Sequence, residues 1–119
     1  MNFLYLLFVA LAGGLGSVLR MLLAGWIGAL PWGILTANTA ASFITGAALI
    51  GFQNDPLVAT ILVTGICGGL STFSTFSAQT VEYFKAKQVW RGVANFALNF
   101  TVPAAAALGG LFLLYTLLK

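Results

Sequence analysis

Hydroxyl and phenylalanine side chains alternate in one stretch of this sequence, "GGLSTFSTFSAQT" at residues 68–80. Residues 71–77 within it hold five hydroxyl side chains: Ser71, Thr72, Ser74, Thr75 and Ser77. Hydroxyls are costly in hydrocarbon unless a partner meets them there. Phe73 and Phe76 are spaced as i and i+3, which places them on one face of a helix. Alone, that spacing indicates packing. Together with the flanking hydroxyls it favours an ion pathway, because the positive edge of an aromatic ring attracts a small anion only weakly, as conduction requires.

Two glycines, Gly68 and Gly69, come directly before the hydroxyls. Each lowers helix stability by about 1 kcal/mol relative to alanine. We therefore expect a helix break there, which would free backbone amides and carbonyls. At membrane depth such groups are tolerated only when they are buried in protein or line a water-filled cavity.

Three other stretches carry polar groups at helical spacing. Asn38, Ser42 and Thr45 form a stripe that predicts either a lined path or hydrogen bonds between helices. Arg20 follows a face of small residues, and is interpreted either as reaching the membrane interface or as an anion-attracting vestibule residue. Asn95 and Asn99, four residues apart, either line a path or tie helices together.

The elements that position these residues are predicted from composition. Of the 119 residues, 61% are hydrophobic and 6% are charged, which is typical of a membrane protein. Four apolar stretches each reach the roughly 20 residues that a spanning helix needs: 2–24, 32–52, 57–81 and 93–118. We expect an all-α membrane protein whose single domain, 1–119, consists of four transmembrane helices, with the third broken near Gly68 and Ser71. The first stretch lacks the basic start of a signal peptide.

Several function classes are disfavoured. The chain has no histidine, and its only carboxylates, Asp55 and Glu82, lie near predicted span ends. An enzyme is therefore not expected, and a proton-coupled transporter lacks its usual intramembrane carboxylate. The single cysteine, Cys67, excludes an internal disulfide and a cysteine-based metal site, and is predicted to be a buried small hydrophobe. The net charge of +3 is too small and scattered to indicate nucleic acid binding.

Positive charge is concentrated on one predicted side of the membrane. Lys85, Lys87 and Arg91 lie in the third connection, and Arg20 lies toward the same side. The excess of basic residues predicts that the first and third connections face the cytoplasm and both termini lie outside.

The sequence resembles the Fluc/CrcB family of fluoride channels. "GICGGLSTFSTFS" (65–77) is similar to the third-span signature of that family. "GGLGSVLR" (13–20), "GILTANTAASFITG" (33–46) and "ALGG" (107–110) match further family segments in the same order. The resemblance covers essentially the whole chain.

The resemblance implies an antiparallel, dual-topology type of dimer in the bacterial plasma membrane, with fluoride pathways at the subunit interface. It implies that the chain exports cytoplasmic fluoride passively. It also implies a structural sodium ion on the two-fold axis, held by the backbone carbonyls of Gly68 and Ser71 from each subunit. The resemblance implies that Phe73, Phe76, Asn38 and Arg20 belong to the fluoride pathway. The neighbouring hydroxyls predicted to line it are those of Ser42, Thr72 and Thr75.

Departures from the family pattern leave the assembly open. Gln79 replaces a frequent glutamate, Ile34 replaces a threonine, and Val102 and Ala106 stand where some members have hydroxyls. Some members are paired, non-identical subunits. The one-sided basic charge fits such a heterodimer better than a dual-topology homodimer.

Two alternatives to a fluoride channel are considered. A small proton-coupled multidrug-type exporter shares four spans and an antiparallel dimer, but needs a first-span carboxylate that residues 2–24 lack. A non-conducting packing or partner subunit would not need Phe73 and Phe76 beside a helix break.

Overall fold

Four helices long and apolar enough to cross a membrane make up the fold, which a computed structural model describes over residues 2–119. All regular structure in that range is helical, as predicted. The spans are Phe3–Ala24, Trp32–Gly51, Pro56–Lys85 and Val89–Leu117. The chain is therefore a multi-pass helical membrane protein.

The third span is divided into four segments. The α-helical elements in residues 2–119 are α1 Phe3–Ala24, α2 Trp32–Gly51, α3 Pro56–Thr60, α4 Gly68–Leu70, α5 Ser74–Lys85 and α6 Val89–Leu117. A π-helical segment, Ile61–Cys67, lies between α3 and α4. Asp55 begins the third span: its carboxylate accepts the Val58 N–H at 3.2 Å, and Pro56 follows where an N–H is not needed.

The interruption of the third span lies slightly beyond the predicted position. Gly68 is helical, with φ −63° and ψ −36°, whereas Ser71 is extended, with φ −79° and ψ 153°. Regular α-helix resumes at Ser74. The break predicted near Gly68 and Ser71 is therefore present at Ser71 and absent at the glycines: Gly68 and Gly69 remain helical, and the chain leaves the helix at residues 71–73.

The third connection is shorter than the predicted 82–92. The helix α5 continues to Lys85, and α6 begins at Val89. Residues 82–86 include good helix formers and neither glycine nor proline, so nothing in them ends the helix at the membrane surface. The turn comes at Lys87, whose φ is 60°, with Gln88 N–H donating to Tyr83 O at 2.8 Å and Lys87 N–H to Phe84 O at 3.0 Å.

Glycines allow two pairs of helices to approach closely. A Cβ at Gly69 would collide with the Gly13 carbonyl oxygen of α1. A Cβ at Gly46 of α2 would collide with the Ala107 carbonyl of α6, and α2 and α6 share the most extensive contact in the fold. The resulting slab measures 49 × 35 × 19 Å, so it is thin in one direction.

The first and third connections lie at the same end of the molecule. The Tyr83 hydroxyl, near the end of α5, donates to Ala29 O between α1 and α2 at 3.4 Å. This is the arrangement that an up-and-down order of four spans predicts. Cys67 is buried and free, in a core with Ala37, Ala41 and Leu70.

Candidate functional site

A groove of about 230 Å³ collects most of the predicted site residues. It lies where α2, α6 and the interruption of the third span meet. Its lining residues are Asn38, Ser42, Ser71, Thr72, Phe73, Phe76, Asn99 and Pro103. Residues far apart in the sequence, and each singled out for polarity or aromaticity, are thus brought to one surface of the subunit.

Asn38 holds the interruption in place from α2. Its Oδ1 accepts the Thr72 backbone N–H at 2.7 Å, and its Nδ2 donates to the Thr72 carbonyl at 3.0 Å. The side chain, 6% exposed, thereby replaces the helical bonds that Thr72 has lost. The second Nδ2 hydrogen goes to Asn99 Oδ1 at 3.0 Å, so both amide donors of Asn38 are used within the subunit.

The two phenylalanines differ sharply in exposure. Phe76 is 4% exposed, whereas Phe73 is 65% exposed. Their rings meet edge to face, with centroids 4.9 Å apart and planes at 74°. Phe76 also contacts Phe100 of α6 edge to face, at 6.4 Å and 89°. The buried ring therefore fixes the position of the exposed one.

The hydroxyls of the interruption bond mainly with one another. Thr72 Oγ1 lies 3.3 Å from Ser74 Oγ and 3.1 Å from Thr75 Oγ1, and accepts the Thr75 backbone N–H at 3.1 Å. The last bond pairs one backbone N–H in the first turn of α5, where the helix itself offers no acceptor. Thr75 faces a second groove, of about 790 Å³, which it shares with Ser74, Gln79 and Glu82.

Backbone carbonyls at the interruption are released from helical pairing. Thr72 N–H donates to Asn38 rather than back to Gly68, so the Gly68 carbonyl lacks its usual i+4 donor. Ser71 O accepts one long bond, 3.4 Å, from Arg20 Nη1. Gly68 and Ser71 line a common cavity of about 190 Å³ with Ser42, Thr45 and Cys67. Arg20 thus reaches the interruption from α1.

The four positions that depart from the family pattern occupy different surroundings. Ile34 is 1% exposed, so it belongs to the core. Val102 and Ala106 line a separate, largely apolar groove with Leu35, Thr36 and Ile44, whose lining does not include Asn99 or Pro103. Gln79 Oε1 is buried, with no hydrogen-bond partner among residues 2–119.

Hydrogen bonds connect three more residues to the site: Asn95, Asn99 and Thr80. From the sequence alone, the asparagines could either line a path or tie helices together. Asn99 Nδ2 donates to the Asn95 backbone carbonyl at 2.9 Å and to Asn95 Oδ1 at 3.2 Å. Asn95 Nδ2 donates to Thr80 Oγ1 at 3.0 Å and to Phe76 O at 3.3 Å. The asparagines therefore tie α6 to α2 and α5. Their spacing predicted a shared face, but not which helix that face meets.

The fold and site together define a class of small helical membrane protein, in which an interrupted span carries polar groups and aromatic rings into the membrane. The family model described as CrcB-like protein, Camphor Resistance (CrcB), matches residues 7–111. The chain belongs to this family.

Individual relatives agree with that assignment. The chain is 45% identical over 107 residues to a protein named fluoride-specific ion channel FluC from Cronobacter sakazakii, covering 79% of this chain and 80% of the relative. It is 35% identical over 117 residues to a FluC protein from Paraburkholderia phymatum, covering 92% and 93%. A FluC protein from Enterobacter is 41% identical over 102 residues, covering 79% and 80%.

Proposed function

We propose that this chain forms a fluoride-selective channel that lets fluoride leave the cytoplasm of a bacterium passively across the plasma membrane. The relatives named fluoride-specific ion channel support it. The observation that carries the proposal is the groove in which Asn38, Phe73 and Phe76 meet beside released backbone groups. The activity is conduction rather than catalysis. Hydrogen fluoride enters cells as a neutral molecule and dissociates inside, so a selective leak lowers the internal load.

The proposed pathway combines weak attractions rather than one strong site. The edges of the phenylalanine rings carry partial positive charge, and the hydroxyls of Ser42 and Thr75 offer O–H donors nearby. The Thr72 hydroxyl donates to Thr75, so it would serve an anion only by exchanging that bond. Arg20 supplies a full positive charge to the approach. Because both Asn38 donors already have acceptors, an anion gains an N–H from Asn38 only in exchange for one of those bonds. Such an exchange limits the net binding strength, which favours passage.

A second subunit is part of the proposal. Phe73 is largely exposed beside a polar groove, and the slab is only 19 Å thick. Polar groups and irregular backbone at membrane depth need a protein or aqueous cover. An antiparallel copy placed over this face would cover the groove and duplicate it. A non-identical family subunit would do the same, so the homodimer and the heterodimer are distinguished by experiment.

A structural sodium ion fits the backbone of the interruption. Sodium is a hard cation that prefers oxygen ligands, and Gly68 and Ser71 line one cavity. The Gly68 carbonyl is released from its helical donor, so it has a lone pair to offer. Two carbonyls from each of two subunits would hold the ion, whose positive charge would offset the field experienced by nearby anions.

The exporter alternative has no support in the position of the carboxylates. Asp55 caps the start of α3. Glu82 lies near the end of α5, and its exposed side chain places Oε1 3.8 Å from Lys85 Nζ. Neither lies at the depth where a proton-coupled exporter would bind its substrate. Family membership also favours a channel.

The test is efflux from liposomes that contain the purified protein. Liposomes are loaded with fluoride or with chloride, and release is followed with ion-selective electrodes. We expect fast fluoride release and negligible chloride release. We expect Phe73→Ile and Phe76→Ile each to reduce the rate of fluoride release. Wild-type flux that is unchanged by both substitutions would contradict the proposed role of the rings. A chain that is silent alone but active with a second family subunit would establish the heterodimer, whereas silence in both cases would refute the channel.

A further inference from the structure

A buried chain of amides connects the pathway groove to α6 and back to α5. Its members Asn38, Asn99, Asn95 and Thr80 are between 1% and 6% exposed. Given the proposed fluoride conduction, we infer that Asn95 and Asn99 are positioning residues, which orient the Asn38 amide and hold the segment 73–76 that carries both phenylalanine rings.

The chain runs in one direction, from donor to acceptor. Asn38 donates to Asn99 at 3.0 Å, Asn99 donates to Asn95 at 3.2 Å, and Asn95 donates to Thr80 Oγ1 at 3.0 Å. Thr80 then donates to Phe76 O at 2.7 Å. Each amide nitrogen has two acceptors within 3.3 Å, so all six N–H groups are satisfied.

This direction permits only one orientation of the Asn38 amide. Because both N–H groups of Asn99 are held by Asn95, Asn99 presents its Oδ1 to Asn38. If the Asn38 amide were rotated by 180°, its oxygen would face Asn99 Oδ1 and the Thr72 carbonyl, and its nitrogen would face the Thr72 N–H. Three unfavourable contacts would replace three hydrogen bonds in a buried setting. Asn95 and Asn99 therefore reinforce the orientation that the two Thr72 bonds impose on Asn38, and Asn99 supplies the acceptor for its second donor.

The same chain fixes both ends of the aromatic segment. Asn38 bonds Thr72 N–H and C=O, directly before Phe73. Asn95 and Thr80 both bond the carbonyl of Phe76. The two attachments belong to one network, so loss of Asn95 or Asn99 should loosen the rings as well as the amide. Neither residue needs to touch the anion for this effect.

Near-isosteric substitutions test this role in the full-length protein in liposomes. Asn99→Leu and Asn95→Leu keep the branched shape of the side chain and remove the hydrogen bonds. Each should lower the fluoride efflux rate about tenfold, because the Asn38 donors and both rings would no longer be held in one geometry. The matched control is Thr101→Val, on the same helix, because its hydroxyl bonds only the carbonyl of Ala97 within α6, at 2.8 Å. This control should conduct like the wild type.

A conservative pair separates positioning from general structural support. Thr80→Ser keeps the hydroxyl that joins Asn95 to Phe76, and Thr80→Val removes it at nearly constant volume. We expect Thr80→Ser to conduct within about twofold of the wild type and Thr80→Val to fall several-fold. This pair decides the question if the asparagine variants do not fold, and equal rates for the pair would then overturn the inference.

Hydrogen exchange gives a readout that does not depend on fluoride conduction. Peptides covering residues 71–80 should exchange faster in Asn95→Leu and Asn99→Leu than in the wild type or in Thr101→Val. Unchanged exchange, or full efflux in folded asparagine variants, would overturn the inference. A wild type that releases no fluoride would instead refute the proposed function, and the exchange data would still test the positioning role.

Discussion

The two halves of the third span hold their neighbours by different means. Residues 61–70 pack against α1 through bare backbone, since a Cβ at Gly69 would meet the Gly13 carbonyl and one at Gly16 would meet the Ile66 carbonyl. Residues 74–85 are tied by side-chain amides and hydroxyls, through Asn95 to Thr80 and Phe76. The packing of the first half therefore depends on glycines, which have no side chain to keep the helices apart. The packing of the second half depends on polar side chains that form hydrogen bonds.

The interruption at residues 71–73 lets one span do both. A continuous helix would pair its backbone internally and leave nothing for Asn38 or Arg20 to bond. Here Thr72 turns both its N–H and its C=O to Asn38, and Ser71 O accepts from Arg20. The comparison teaches that the polar site is built at the junction of a tightly packed half and a hydrogen-bonded half.

The largest effect should come from one methyl group in the packed half. Gly69→Ala should destabilise the subunit by about 3 kcal/mol, because the new Cβ meets backbone that cannot move aside. Gly68→Ala is the matched control: its Cβ would lie 3.6 Å from Val63 O, an ordinary contact. Thermal unfolding in detergent, followed by circular dichroism, measures both. Equal losses at the two glycines would contradict the packing account of this half.

The next effect lies at the junction itself. Asn38→Leu should leave the Thr72 N–H and C=O without partners, at a cost of about 2 kcal/mol, and should lower fluoride efflux more than tenfold. Thr39→Val is the control, because the Thr39 hydroxyl bonds Leu35 O of its own helix at 2.6 Å. If the unfolding temperature and the fluoride efflux rate of Asn38→Leu equal those of the control, the interruption does not depend on α2.

A smaller, salt-dependent effect is expected from Arg20. Arg20→Gln should slow fluoride entry several-fold at low ionic strength and less in concentrated salt, since the screening length falls to about 10 Å at 0.1 M. Arg20→Lys keeps the charge and should retain most of the flux. Initial efflux rates at several concentrations of an impermeant salt provide the measurement. A loss that is the same at all salt concentrations would point to the Ser71 hydrogen bond rather than to charge.

The smallest effect is expected in the turn that follows α5, outside both halves of the third span. It tests whether this turn is independent of the junction at residues 71–73. Lys87 has φ 60°, a conformation that glycine adopts without strain. Lys87→Gly should stabilise the protein by up to about 1 kcal/mol, or about 4 °C in the unfolding temperature. Fluoride efflux should not change. A fall in efflux would mean that this turn is coupled to the junction.

Much of the fold follows from the sequence, because hydrophobic length and helix signals are local properties. The starts at Trp32 and Pro56 lie within a residue of those predicted. The helices extend beyond the apolar stretches that end at 81 and begin at 93, because amphipathic residues continue one helix to Lys85 and begin the next at Val89. Hydropathy reports the width of the membrane rather than the length of the helix.

The site was only partly predictable. The stripe at Asn38 and the hydroxyls near Phe73 were visible, because their spacing places them on one helical face. The bonds from Asn38 to Thr72 and Asn99 join residues 34 and 61 positions apart, and no local pattern reports such pairs. The displacement of the break from Gly68 to Ser71 was also hidden, because glycine serves here for close approach at Gly69 rather than for bending.

The chain of asparagines has a consequence for cells in acid surroundings. An amide neither gains nor loses a proton at physiological pH, so its donors and acceptors never exchange roles. A network of carboxylic acids or imidazoles would reorganise as the medium acidified. Acidity is the condition under which hydrogen fluoride floods inward, and this scaffold keeps the same polarity when the demand for export is greatest.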